Sequence, residues 1–207
     1  MIMDKIKTVG KAASAEFTEK KSVFIGYAAP VSSEEEARDF IASIKKKHAD
    51  ARHNVSAYVL GGGIMHSSDD GEPSGTAGVP VLEVIKKSGV TNTVVVVTRY
   101  FGGILLGAGG LLRAYSAAAR AAIDAAGVVT YEKFDECRIK CAYGDYSDVL
   151  YRLGGFTVKM GEATFGADVC VNFAVLHDER ERLENEIAAR FDGRYAVEKT
   201  GERYDIR

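Results

Sequence analysis

A chain of 207 residues carries one large domain or two small ones, and its 46% hydrophobic and 27% charged content excludes intrinsic disorder. The 27 Lys and Arg against 29 Asp and Glu give a net charge of -2, which excludes indiscriminate polyanion binding but not a local basic patch. Three cysteines are too few to staple a secreted mini-protein, and neither a signal-peptide core nor an apolar run near the ~18 residues of a membrane helix is present, so a cytoplasmic protein without membrane contact is expected.

In chain order, residues 7–16 and 22–29 read as strands around a polar turn at 18–21. Ser33 is placed to cap a helix whose first turn holds Glu34, Glu35 and Glu36, which suit the positive end of the helix dipole. Ala37, Phe40, Ile41 and Ile44 recur at the spacing of one buried face. Lys45, Lys46 and Lys47 close that helix and read as a solvated end or as a nucleic-acid patch. Residues 54–60 form a short strand with Val55, Ala57 and Val59 on one face, and 61–78 a loop. Pro80, tolerated only in a first turn, starts the next helix. The unbroken Val94, Val95, Val96 and Val97 predict a strand covered on both faces. An alanine-rich helix follows over 109–126, with Leu111, Leu112, Tyr115, Ala119, Ala122 and Ile123 inward and Arg113, Arg120 and Asp124 outward.

Beyond residue 131 the style changes. Strands at 137–142, 156–165, 168–176 and 195–204 alternate with helices at 145–153 and 178–191. The order β-α-β-β-α-β is the ferredoxin-like split βαβ plan, with other small α+β plans left open. The boundary divides the chain into domains 1–133 and 134–207, with net charges of +2 and -4. The acidic second domain has no aromatic-rich RNA-binding strand, so docking or regulation is its expected use.

Glycine is concentrated: 12 of 22 fall within residues 61–110. The first stretch runs from His66 through Asp69, Asp70, Glu72, Ser74 and Thr76 to Gly78. Its carboxylates are hard-cation ligands, and its amides before Val79 suit an anion. It reads equally as an Asx-rich turn with Thr76 as helix cap. The second runs from Thr98 to Ser116, a buried strand entering a glycine loop and then a helix. Backbone amides there favour phosphate or carboxylate, and Arg99 and Arg113 can grip such groups in bidentate fashion. Gly107, Ala108 and Gly109 lead to Leu112 where a dinucleotide fingerprint has its third glycine, and no Lys-Ser/Thr completes a Walker loop. Close helix–sheet packing explains the same glycines. His48 and His53 are not at zinc-helix spacing and read as surface or capping residues.

Residues 69–78 (DDGEPSGTAG) and 99–115 (RYFGGILLGAGGLLRAY) together closely resemble the YigZ/IMPACT family. Ala51, His53 and Ala57 match its Ala-x-His segment, and Lys21, Ser22, Phe24 and Ile25 its opening strand. Ser56 departs from the bulkier residue common at that position. The resemblance implies an α+β chain: an N-terminal domain like domain IV of elongation factor G, shared with GHMP kinases and a ribosomal protein, and a ferredoxin-like C-terminal domain. It also implies a link to translation. Eukaryotic relatives act through an extra N-terminal domain with no counterpart in these residues, so that interaction is not expected to transfer.

The expectation is therefore a translation-associated binding protein contacting RNA, the ribosome or a translation-related protein, without cofactor, metal or DNA sequence specificity. The candidate surface comprises His53, Asp69, Asp70, Glu72, Ser74, Thr76, Arg99, Tyr100, Gly102, Gly103, Gly107, Gly109, Gly110 and Arg113. The alternative is a phosphate-handling enzyme with a GHMP-kinase-like anion loop and Mg²⁺ carboxylates.

Overall fold

The computed structural model describes residues 5–206. Residues 6–130 form one compact unit, and 131–206 with Lys5 the other. The first contains most of β1 (Lys5–Val9), then β2 (Ala13–Glu19), β3 (Ser22–Pro30), α1 (Glu34–Lys47), β4 (His53–Val59), β5 (Met65–Ser68), α2 (Gly78–Ser88), β6 (Thr93–Tyr100) and α3 (Gly107–Ala126). Strands β2-β3-β6-β4-β5 form a sheet in which every neighbouring pair is antiparallel.

The four valines of β6 show why this sheet has two covered faces. Val95 and Val97 join the core made with α2 and α3, whereas Val94 and Val96 pack with residues of α1. All four are completely buried, each burial contributing about 1.5–3 kcal/mol. Ser33 caps α1 by accepting from the Glu36 amide at 3.2 Å, as its position predicts. Helix α3 lies close on β3 because its inner stripe is alanine and the strand carries Gly26. A Cβ at Gly26 would stand 2.4 Å from the Ala118 carbonyl oxygen. Tyr115 meets Phe24 edge-on, with ring centroids 5.2 Å apart. Leu112 is 48% exposed rather than inward, because the buried stripe runs through Leu111, Tyr115, Ala118 and Ala122.

Two local expectations change. The strand expected over 7–16 is broken into β1 and β2, with the Gly10 amide donating to the Gly127 carbonyl at 2.8 Å. The loop expected over 61–78 contains β5, which has no apolar alternation and exists through its pairing with β4.

The second unit contains most of β7 (Val128–Cys141), then α4 (Tyr146–Leu153), β8 (Val158–Phe165), β9 (Val169–Leu176), α5 (Arg180–Arg190) and β10 (Val197–Ile206). Its antiparallel order β10-β7-β9-β8 is that of a split βαβ sheet. Cys137, Ile139 and Cys141 of β7 pack with Val149, Leu153, Leu183 and Ile187 of the two helices.

Candidate functional site

The turn after β5 sends its three carboxylates in three directions. Asp69 turns to the start of α2, accepting from the amides of Gly75 at 2.8 Å, Ala77 at 3.1 Å and Gly78 at 2.8 Å. Burial alone would raise its pKa, but these three donors together hold the carboxyl below its usual value. Thr76, expected as the cap, instead donates its hydroxyl to the Pro73 carbonyl at 2.6 Å, and Ala77 occupies the cap position. The α2 amides that sequence reasoning offers to an external anion are thus held by an internal one.

Asp70, with φ at +44°, reaches across to β4 and α1. It accepts from the Asn54 amide at 2.7 Å and from Lys45 Nζ at 2.6 Å, while its carbonyl lies 2.9 Å from His53 Nδ1. Glu72 enters the interior. Its Oε1 accepts from Arg99 Nη1 at 2.6 Å and from the Tyr115 hydroxyl at 2.8 Å, with His53 Nε2 at 4.0 Å. Burial, and then the Glu72 charge, push the Tyr115 hydroxyl well above its ordinary pKa, so it stays a donor.

Cross-strand register explains this convergence. Arg99 is the direct partner of Phe24 on one side and His53 on the other. Its guanidinium lies over the rings of Phe24 and Phe101, 5.5 Å from each centroid. Arg99 is 6% exposed and Glu72 8%, so the pair ties the two glycine-rich motifs together from within.

Tyr100, next in sequence, points to the opposite face. Its hydroxyl donates to Asp50 at 3.0 Å and lies 2.9 Å from His48 Nδ1, whose Nε2 is 2.7 Å from the Tyr27 hydroxyl. A Tyr100 hydroxyl that donates to Asp50 makes His48 Nδ1 the protonated nitrogen. Burial, then the neighbouring Lys47, lower the His48 pKa against the pull of Asp50. His48 is therefore the C-cap of α1, as the capping alternative expected, but it is buried and links two tyrosines rather than lying on the surface.

The outer surface is built by residues 101–113. A Cβ at Gly102 would come within 2.0 Å of the Lys21 carbonyl carbon, and the Gly102 amide donates to Ser22 Oγ at 3.2 Å, so the loop is seated on the β2–β3 turn. Gly103 and Gly107 have φ of +82° and +71° with open space beside them. Leu105 is 83% exposed, and Phe101, Ile104 and Leu112 are also on the surface. Leu106 at the N-cap of α3 supplies no side-chain cap, and Gly107 and Gly109 are exposed. Beside that helix start, a cavity of about 220 Å³ is lined by Phe17, Glu19, Lys20, Leu106, Gly110 and Arg113, together with Ala114 and Ala117. Ser74 is exposed on the other motif. Of the expected residues, His53, Glu72 and Arg99 form the interior cluster, Asp69 and Asp70 serve the turn, and Gly107, Gly109, Gly110 and Arg113 belong to the surface. Lys45 and Lys20 join these groups from distant segments, with no local sequence signal.

Residues 20–123 match the family described as the Impact N-terminal domain, and residues 139–194 a domain of unknown function, DUF1949. IMPACT family member YigZ of Escherichia coli is 36% identical over 75% of this chain and 78% of its own length. The chain belongs to the IMPACT family. IMPACT family member YvyE of Bacillus subtilis is 54% identical over 59% of this chain, the match spanning 57% of that relative's length. Protein IMPACT of Rattus norvegicus is 36% identical, over 32% of its own length. A solved structure described as an hypothetical protein is 30% identical, with a TM-score of 0.62 over 96% of this chain and 98% of that one. In this IMPACT-family chain, among the described residues, no helix is long and apolar enough to cross a membrane.

Proposed function

We propose that this IMPACT-family chain is a translation-associated binding protein that docks RNA, the ribosome or a translation-related protein through residues 101–113. The supporting observation is the uncapped start of α3, framed by Lys20 and Arg113 and bordered by exposed Phe101, Ile104, Leu105 and Leu112. Open amides and two cations, against the single carboxylate of Glu19, favour a phosphate or carboxylate on the partner, and the apolar rim adds contact area. The buried Glu72–Arg99 pair and the Gly102 contact hold this surface in one shape, which lowers the ordering cost of binding. The acidic domain at 134–207 is assigned to docking or regulation, and the site of action to the cytoplasm.

The phosphate-handling enzyme draws less support. Asp69, Asp70 and Glu72 each face a different partner, and among the described residues no group of three or more His, Cys, Asp or Glu is placed to hold a metal ion.

Sedimentation of the purified chain with ribosomes on sucrose gradients at low salt tests the proposal. Co-migration is expected for the natural chain and not for Leu105→Asp or Arg113→Glu. Absence of the natural chain from ribosomal fractions, with no RNA or translation protein retained on it, overturns the reading.

A further inference from the structure

On the sheet face that carries α1, this helix and the β4–β5 pair leave a groove of about 270 Å³. Its floor is two cross-strand pairs, Ser56 with Ser68 and Tyr58 with His66. The Tyr58 and His66 rings stack with centroids 5.2 Å apart and 27° between planes, so the exposed imidazole is held as a flat surface. The wall is the stripe Arg38, Ala42 and Lys45 of α1, at helical spacing, with the small Ala42 forming a notch between two cations. Ser56 is 3% exposed, and no hydrogen bond among the described residues engages its hydroxyl, although the residue lines the groove.

These groups match the two halves of one ligand. Arg38 bonds Glu34 through Nη2 at 2.8 Å and also faces the Tyr58 hydroxyl, and Lys45 bonds Asp70 at 2.6 Å; with five and three N–H groups respectively, both keep further donors. Two cations and an unengaged hydroxyl suit a phosphate. A supported aromatic plane beside them suits a base, since stacking on such a surface contributes about 1–3 kcal/mol per base. Glu34 is held by Arg38 and the Tyr58 hydroxyl, and Asp70 by Lys45 and the Asn54 amide, so these carboxylates balance the two cations and a phosphate is met by their remaining N–H donors rather than by unpaired charge.

We propose that this groove binds a nucleotide unit, its phosphate held by Arg38, Lys45 and the Ser56 hydroxyl and its base stacked on His66. The site uses no residue of 101–113 and stands or falls independently of the partner surface there. A nucleotide unit has two sources, a free nucleotide and a single-stranded RNA.

The test titrates the full chain with AMP and with inorganic phosphate by calorimetry, and with a short labelled single-stranded oligoribonucleotide by anisotropy. Ala42→Glu places a carboxylate in the notch at an exposed helical position, and Ala125→Glu makes the same change at an exposed position of α3, outside the groove. Circular dichroism confirms that both fold. Binding to the natural chain and to Ala125→Glu, weakened about tenfold or more in Ala42→Glu and several-fold in Ser56→Ala, is expected. AMP binding under that pattern assigns a free nucleotide, and oligonucleotide binding without AMP binding assigns a strand. No binding of either at millimolar concentration, affinity unchanged in Ala42→Glu, or equal affinity for phosphate and AMP overturns the proposal.

Discussion

Glu72 and Arg99 are 27 residues apart in the chain and 2.6 Å apart in the interior, and Tyr115 donates to the same carboxylate oxygen. One buried carboxylate thus joins the turn after β5, the end of β6 and the first half of α3. Removing it strands a guanidinium whose Nε already has no hydrogen-bond partner among the described residues.

Glu72→Ala is therefore expected to destabilise the chain by about 3–5 kcal/mol, the loss typical when one member of a buried ion pair is removed. Glu72→Leu combined with Arg99→Met is expected to lose less than Glu72→Ala, because no charge is left unpaired. Urea midpoints with constant slope distinguish the two cases. Equal losses would show that packing, not the stranded charge, dominates.

Asp69 predicts a pH dependence. Its folded pKa is depressed below 3.8, so the stability it adds is complete above its unfolded pKa and is lost as pH falls through the folded one. Asp69→Ala is expected to cost about 1–2 kcal/mol at neutral pH, in the range of a lost helix cap. The gap between variant and natural chain should close as the solution is acidified below pH ~4. Paired thermal melts across that range measure it.

Gly102→Ala places a methyl against the Lys21 backbone, where no flexible side chain can yield. The loop or the β2–β3 turn must shift, at a cost of about 1–3 kcal/mol. Hydrogen exchange is expected to quicken at 20–23 and 101–106 together. Exchange confined to one of the two segments would contradict the coupling.

Asp135 in the second unit has no exposed surface and lies 2.9 Å from His177 Nδ1, 2.8 Å from Arg180 Nε and 2.7 Å from Lys199 Nζ. Burial opposes its charge, yet Lys199 and then His177 hold the carboxyl below its usual pKa. Asp135→Asn is expected to cost about 3 kcal/mol or more, since it leaves Arg180 and Lys199 facing a neutral amide. Equilibrium unfolding in urea at neutral pH measures the loss, and its size should shrink toward acid pH.

The amino-acid sequence alone makes most elements legible, with a change of style near residue 131. Alternating faces, caps and breakers are local: Ser33 before three glutamates, the valine run of β6, and glycine after α4 each act within a few residues. It also brought the two glycine-rich motifs forward, and their likeness to the family follows from residues 69–78 and 99–115. How those residues are used is set by the three-dimensional pairing of strands and loops. Pairing of His53 and Phe24 with Arg99 is a matter of strand register, and the Lys45–Asp70 and Lys21–Gly102 contacts join segments 25 and about 80 residues apart. Charges alike in the sequence were thereby sorted into an interior tie at Glu72, a helix cap at Asp69 and an open surface at Arg113. Burial and partner choice depend on which strands become neighbours, and one-dimensional spacing does not carry that information.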